Sequence, residues 1–190
     1  ELIKKFKPEI LVLNGPGKSK DFIEDILRKV EIMYFNVDND TDIEILKKLS
    51  SVNLRKIKIG LRVYLPKEGI WTRFGYDILS DDFKNKIKTI NSISKLDGIH
   101  FHFSTNNFHV ENYKILFSAI KETLKKYKQK ITFLDIGGGL PAANEFIYWN
   151  DIYEKIPDLV KDFFPKAKIL FRSRLFLVRH VFDSIHGVDK

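Results

Sequence analysis

The chain has 190 residues, 44% of them hydrophobic and 31% charged, the composition of a globular protein long enough for one domain. It contains no cysteine, which excludes disulfides, thiolate zinc sites and cysteine nucleophiles. Its longest apolar runs fall well short of the roughly 18 residues that cross a bilayer. The formal charge is +8 and the pI about 9.4. The lysines behind that charge, such as Lys47, Lys48, Lys84, Lys86, Lys88, Lys125, Lys126 and Lys128, spread over every predicted helix rather than forming a stripe. Spread lysines read as solvated faces that attract anionic small molecules, so neither a nucleic-acid nor a membrane partner is expected. No signal peptide is visible at Glu1-Leu2-Ile3-Lys4-Lys5, and a cytoplasmic location is expected.

The first predicted strand is Glu9-Ile10-Leu11-Val12-Leu13, followed by Asn14-Gly15-Pro16-Gly17-Lys18-Ser19 and a helix with Phe22, Ile23, Ile26, Leu27 and Val30 on one face. The Gly-Lys-Ser piece suggests a phosphate loop of the Walker type, but Val12 stands where that motif needs its first glycine. Lys18 therefore reads as a solvated loop lysine rather than a site lysine. Ile32 to Val37 is the second strand. Asp38-Asn39-Asp40 is its turn, and Thr41 or Asp40 is expected to cap a helix with Ile43, Ile45, Leu46 and Leu49 inward. Capping explains these aspartates better than a calcium loop, whose spacing is missing.

Ile57 to Tyr64 is the third strand, and Arg62, late within it, requires an anionic partner. A longer loop with Trp71, Arg73, Phe74 and Gly75 leads to a helix over about Asp82 to Ser94. Leu96 to Phe103 is the fourth strand. Side chains alternate along a strand, so His100 and His102 share a face. No carboxylate follows at metal-ligand spacing. Either an imidazole lies near a ligand at the strand's C-terminal end, or the histidines are satisfied core residues. A helix over Val110 to Tyr127, a strand over Ile131 to Ile136, a helix around Ile152 to Phe164 and a strand over Ala167 to Phe171 complete the pattern. The apolar residues Leu175 to Val178, continued by Val181, Phe182 and Ile185, suit a further helix or an extension of the last strand.

Six successive β-α units predict an α/β fold with a parallel sheet, and such sheets place ligands at the C-terminal ends of their strands. The most informative of those ends is Phe133-Leu134-Asp135-Ile136-Gly137-Gly138-Gly139-Leu140-Pro141. Three consecutive glycines are entropically unfavourable in an ordinary turn, and they make sense where backbone N–H groups must approach a bulky anion such as a phosphate. A flexible strand-to-helix turn is the plainer alternative.

Taken together, Leu134 to Pro141, Asn14 to Ser19, Leu61-Arg62-Val63 with Arg73-Phe74-Gly75, and Gly98 to Thr105 resemble the fold-type III, alanine-racemase-like family of pyridoxal-phosphate-dependent decarboxylases, the diaminopimelate, ornithine and arginine decarboxylase group. The resemblance covers nearly the whole chain. It implies a partial (β/α)8 TIM-like barrel, residues 1–190 forming one partial domain with strands three to eight of the barrel. It further implies pyridoxal 5'-phosphate as cofactor, an amino-acid substrate decarboxylated through an external aldimine, and a homodimer. By position, Gly137, Gly138 and Gly139 would donate N–H bonds to the cofactor phosphate. His102 would lie against the pyridine ring, Thr105 would supply a hydroxyl to the phosphate, Arg174 would be another phosphate contact, and Arg62 would order the polar network at the barrel mouth.

The sequence also departs from that family. The two strands expected before Ile10, with the lysine that binds the cofactor, and the family's C-terminal β domain are not found in this chain. At Phe171-Arg172-Ser173-Arg174 the family has Glu-Pro-Gly-Arg, so Phe171, or Arg172 if one residue is deleted, stands where an acid would pair with the pyridine nitrogen. Protonation of that nitrogen makes the cofactor an electron sink. Ser104 and Asn106 replace glycines around Thr105. Two other readings stay open: a non-catalytic relative that binds or regulates, and a different phosphate-binding barrel enzyme.

Overall fold

A computed structural model describes residues 8–66, 73–103, 109–138, 146–171 and 180–182, with the backbone alone for 146–153, 171 and 180–182. In chain order the elements are β1 (Ile10–Leu13), α1 (Lys20–Leu27), β2 (Ile32–Val37), α2 (Asp40–Lys47), α3 (Ser51–Arg55), β3 (Ile57–Tyr64), β4 (Tyr76–Asp77), α4 (Asp81–Ile93), β5 (Leu96–His100), α5 (Val110–Lys126), β6 (Phe133–Asp135), α6 (Phe146–Phe163), β7 (Lys168–Phe171) and β8 (His180–Phe182). The sheet runs β1-β2-β3-β5-β6-β7-β8, with β4 added parallel to β3. The strands from β1 to β7 in that path pair in parallel, and among the described residues the sheet ends at β1 and β8, a half-barrel.

The expected partial barrel of six parallel strands is the fold found. The differences are local. The short α3 and β4 are additions to the expected elements. Helix α6 begins six residues before Ile152, the expected start, and runs through Pro157. The apolar tail is neither a helix over 180–182 nor a prolongation of β7: β8 turns back and pairs antiparallel with it, Leu170 opposite Val181. Residues 175–178 and Trp71 lie outside the described residues.

Alternation along the strands sorts side chains to two faces. Met33, Phe35, Val37, Ile59, Leu61, Val63, Ile99 and Leu134 point outward and form the main core with the helices. Phe101, Tyr113 and Phe117 join it, their rings 5.8–6.2 Å apart. Polar caps start the helices as their sequences require: the Ser19, Asn39, Ser50 and Ser80 side chains each accept a hydrogen bond from a first-turn N–H. Asn39, rather than Thr41 or Asp40, caps α2, because the aspartates on either side are drawn into ion pairs.

The inner face carries a second apolar layer of Tyr34, Phe133 and Leu170, flanked by Ile10, Val12 and Ile32. The Tyr34 and Phe133 rings meet edge to face at 4.9 Å. Phe133 fits because its neighbours across the sheet are Gly60 and Gly98, where any Cβ would overlap its ring. The β3–β5 register shifts between Ile59 and Gly60, and the buried Asp97 carboxylate fills the gap by accepting the Ile59 N–H at 3.1 Å. Among the described residues no helix is long and apolar enough to cross a membrane.

Replacing Gly98 with Ala should destabilise the fold by about 1–3 kcal/mol, the usual penalty for overpacking. Urea unfolding with an unchanged m-value would show it, and an unchanged midpoint would disprove the packing argument.

Candidate functional site

Three polar side chains at the strands' C-terminal ends converge on one buried carboxylate. Asp135, at the end of β6, is 1% exposed. Its Oδ2 accepts the Asn36 amide of β2 at 2.7 Å and the Asn14 amide, just past β1, at 3.1 Å. Asn36 also donates to the Asn14 side-chain oxygen. His100, the last residue of β5, places Nδ1 3.2 Å from the Asp135 carbonyl and 3.4 Å from its Oδ2. Both neighbours are acceptors, so Nδ1 bears the hydrogen. The remaining carboxylate oxygen, Oδ1, accepts the Gly137 N–H at 2.9 Å. A buried carboxylate is tolerable only when its oxygens are hydrogen-bonded, and this one draws donors from three other parts of the chain.

The glycine turn comes two residues later. Gly137 has φ +62°, and a Cβ there would stand 2.5 Å from the Phe101 carbonyl oxygen and 3.0 Å from His102 Nδ1. Only glycine fits. The next amide, Gly138 N–H, donates to His102 Nδ1 at 2.9 Å. His102 is exposed, whereas His100 is buried beneath the turn. The shared face of the two histidines thus splits into one buried brace and one accessible imidazole beside the glycines.

A second polar cluster flanks the first. Arg62 is the register partner of His100 on β3, and it pairs with Asp38 at 2.7 Å while its guanidinium lies 5.0 Å from the Phe74 ring centroid. That is the anionic partner its position demanded. Lys18 is not the solvated loop lysine expected from the sequence: it is 8% exposed and pairs with the buried Asp42 at 2.6 Å. The same Asp42 oxygen accepts the Asp38 N–H at 2.8 Å. Asp40 takes Lys86 and the Tyr76 hydroxyl, each at 2.7 Å. These bonds hold Asp40 below the usual carboxylate range, Lys86 contributing more than Tyr76. Burial first, and the Asp40 bond second, push the Tyr76 phenol well above its ordinary value.

Of the residues singled out in the sequence, His102, Gly137 and Gly138 come together, and Arg62 stands one strand away beside His100. Gly139, Thr105 and Arg174 lie outside the described residues, as do Ser104, Asn106, Arg172, Ser173 and the side chain of Phe171. Asn14, Asn36 and Asp135 escaped the sequence reading as site residues. The signal available was polar residues at inward positions of otherwise apolar strands. Beside His102, a small cleft opens between the ends of β3 and β5 and helix α5, lined by Tyr64, Leu65, Phe103 and Ile115 among others.

A half-barrel with a glycine turn, an accessible imidazole and a clamped carboxylate at its C-terminal mouth has the makings of a barrel domain that binds a phosphorylated cofactor. The sequence profile of "Pyridoxal-dependent decarboxylase, pyridoxal binding domain" matches residues 2–173, and the chain belongs to that family. It is 25% identical over 182 residues to the diaminopimelate decarboxylase of Aquifex aeolicus (strain VF5), covering 86% of this chain and 42% of that protein. Among solved structures, the arginine decarboxylase of Paramecium bursaria Chlorella virus bound to agmatine superposes with a TM-score of 0.63 at 21% identity, over 85% of this chain and 44% of that one. The lysine/ornithine decarboxylase of Vibrio vulnificus complexed with putrescine gives 0.66 at 16% identity, over 85% and 43%. The chain therefore spans less than half the length of these proteins.

Breaking the buried Lys18–Asp42 pair by Lys18→Met should cost about 3–5 kcal/mol of stability, because an uncompensated carboxylate is left inside. Chemical denaturation measures it, and a loss below about 1 kcal/mol would mark the pair as solvated. Tyr76 gives a pH signature. Its phenol is raised above the unfolded value of 10.0, so the native chain keeps a proton that the unfolded chain releases. The contribution is full below about pH 10 and is lost as pH rises further. Tyr76→Phe should flatten the fall in stability between about pH 10 and 12.

Proposed function

We propose that this chain is the cofactor-binding part of a pyridoxal-phosphate-dependent enzyme that removes the α-carboxylate of an amino acid. The observation that supports the reading most directly is the glycine turn at Gly137 and Gly138 meeting His102 at the mouth of a half-barrel whose family binds pyridoxal. The residues fit the group. The Gly138 N–H meets the exposed His102 imidazole at the turn, and that imidazole offers a flat face to a pyridine ring. When bound, pyridoxal phosphate supplies an electron sink for the electrons left behind when carbon dioxide departs.

The chain's own residues bind and orient. The glycine turn, with Gly139 next in sequence, offers N–H donors to the phosphate. Thr105 and Arg174 are proposed as its further partners, and His102 as the ring's neighbour. Arg62, fixed by Asp38, sets a positive charge beside His100 at the mouth. Lys18 cannot serve as the amine that anchors the cofactor while it is buried against Asp42. The proposed substrate is an amino acid, in line with relatives that hold agmatine or putrescine, and a homodimer is proposed as the working assembly.

A second reading, cofactor binding without turnover, is favoured by the sequence Phe171-Arg172-Ser173, which carries no acid where the family has one. Reconstituting the full-length protein with pyridoxal phosphate decides between them. Bound-cofactor absorbance with carbon dioxide release from an added amino acid supports the enzyme. Absorbance without release supports the binder. No absorbance change and no protection by phosphate rejects both. His102→Ala should weaken cofactor binding several-fold, the equivalent of about 1 kcal/mol for one aromatic stacking contact.

A further inference from the structure

A stripe of cations that the linear sequence does not contain is made by folding. The stretches 84–95 and 116–130 hold nine lysines and one acid, Glu122. They form most of α4 and the later part of α5, with the turns that follow each. The two stretches meet at two points. The Tyr127 ring takes the Lys84 ammonium of α4 at 5.9 Å from its centroid and the Lys126 ammonium of α5 at 5.4 Å. The Asn91 side-chain amide donates to Gln129 Oε1 at 2.9 Å, and Gln129 donates to the Leu96 carbonyl at 3.0 Å.

Helical spacing places the remaining lysines around these contacts. Lys88 stands one turn after Lys84 on α4. Lys95 adjoins Leu96, whose N–H the Asn91 side chain accepts at 2.9 Å. Lys128 and Lys130 flank Gln129. Lys84, Lys88, Lys95, Lys126, Lys128 and Lys130 are all exposed, and among the described residues none of them pairs with a carboxylate. Lysines on the other helices do pair, as in Lys20–Glu24, Lys29–Asp25, Lys47–Glu44 and Lys161–Asp158. Lys128 also has φ +52°, just past the end of α5, where glycine is the usual residue. Like charges gathered in this way repel one another, and a polyanion laid across them removes that repulsion.

The face offers charge with no apolar centre. The large exposed apolar side chains lie elsewhere: Phe22 on α1, Val52 on α3, Leu79 before α4 and Ile115 in the cleft at the mouth. A lasting protein interface needs an apolar core, and a helix seated in a membrane surface needs an apolar side. Tyr127 is half-buried between two ammonium groups, and neither stretch contains an arginine, so nothing on the face is placed to stack on bases or to read their edges. Repeated lysines one helical turn apart match repeated negative charge without regard to sequence.

We propose that the α4–α5 face binds the phosphodiester backbone of a nucleic acid, independently of base sequence. Lys95 and Lys130 stand just before β5 and β6, so the face lies toward the strands' N-terminal ends, away from the mouth. The proposal is therefore independent of the cofactor reading.

Fluorescence anisotropy of a short labelled single-stranded RNA, titrated with the full-length protein, tests it. The logarithm of affinity should fall against the logarithm of salt concentration with a slope of about −2 to −4, the value for roughly three to six phosphate contacts. A second RNA of different sequence should bind within about threefold of the first. K88E/K126E should weaken binding at least about tenfold, whereas K48E/K166E, the same change of net charge on other faces, should weaken it less than about threefold. Equal losses in the two variants, a slope shallower than about −1, or tighter binding to a polyglutamate peptide or to phosphatidylserine vesicles at the same salt would overturn the proposal. If K88E/K126E does not fold, lysine acetylation of the wild type with and without RNA decides. Protection of Lys84, Lys88 and Lys126 over Lys48 and Lys166 supports the face, and uniform protection rejects it.

Discussion

A carboxylate buried at the end of a central strand cannot be left without donors, and the mouth of this half-barrel is arranged around that requirement. Asp135 draws Asn14 and Asn36 from β1 and β2 and His100 from β5, and it turns the backbone so that Gly137 N–H reaches its second oxygen. The strands thereby become linked through side chains as well as through the ladder. The charge also constrains the residue type two positions on: a backbone at φ +62° with the Phe101 carbonyl against its Cα must be glycine. The glycine at the turn is in this sense tied to the buried acid two residues earlier.

The fold was largely legible in the sequence because its periods are clean. The runs Ile32 to Val37 and Ile57 to Tyr64 read as strands, and the strands found match those readings residue for residue. The helix expected over about Asp82 to Ser94 was found at Asp81–Ile93 behind its Ser80 cap, whereas the short α3 behind Ser50 was not expected. What sequence reasoning missed depends on partners far away in the chain. Nothing near Lys18 says that its ammonium will be buried, because the acid that receives it lies 24 positions on. The aspartates at 38, 40 and 42 resemble capping residues locally, and only the approach of Arg62, Lys86 and Lys18 recruits them into pairs. Asn36 similarly reads as one polar residue in an apolar strand until Asp135, 99 positions away, supplies the acceptor.

The candidate site divides along the same line. His102, Gly137 and Gly138 were recognisable because glycine runs and same-face histidines are local signals, and folding brings them within hydrogen-bond distance. Their actual partners were not recognisable. The sequence suggested amides aimed at an anion, whereas the folded chain employs one amide on Asp135 and the other on His102. Both amides are satisfied within the chain, in keeping with the cost of leaving an N–H without a partner. Burial separates the two partners: the carboxylate is enclosed and the imidazole exposed.

Two acids on neighbouring parts of the sheet thus divide the work of the mouth. Asp135 orders the backbone from inside the barrel, and Asp38 orders a cation, holding Arg62 at 2.7 Å with Phe74 stacked on its guanidinium. The Asp38 main chain reinforces the arrangement, its carbonyl accepting the Gly75 N–H at 3.1 Å and its N–H donating to Asp42. Gly75 in turn lies so close to the Arg62 backbone that a Cβ would stand 2.8 Å from its carbonyl oxygen. Because Arg62 and His100 are register partners, the two clusters meet side by side on adjacent strands. A guanidinium held by one buried carboxylate beside a glycine turn held by another gives the mouth two ordered polar clusters on adjacent strands.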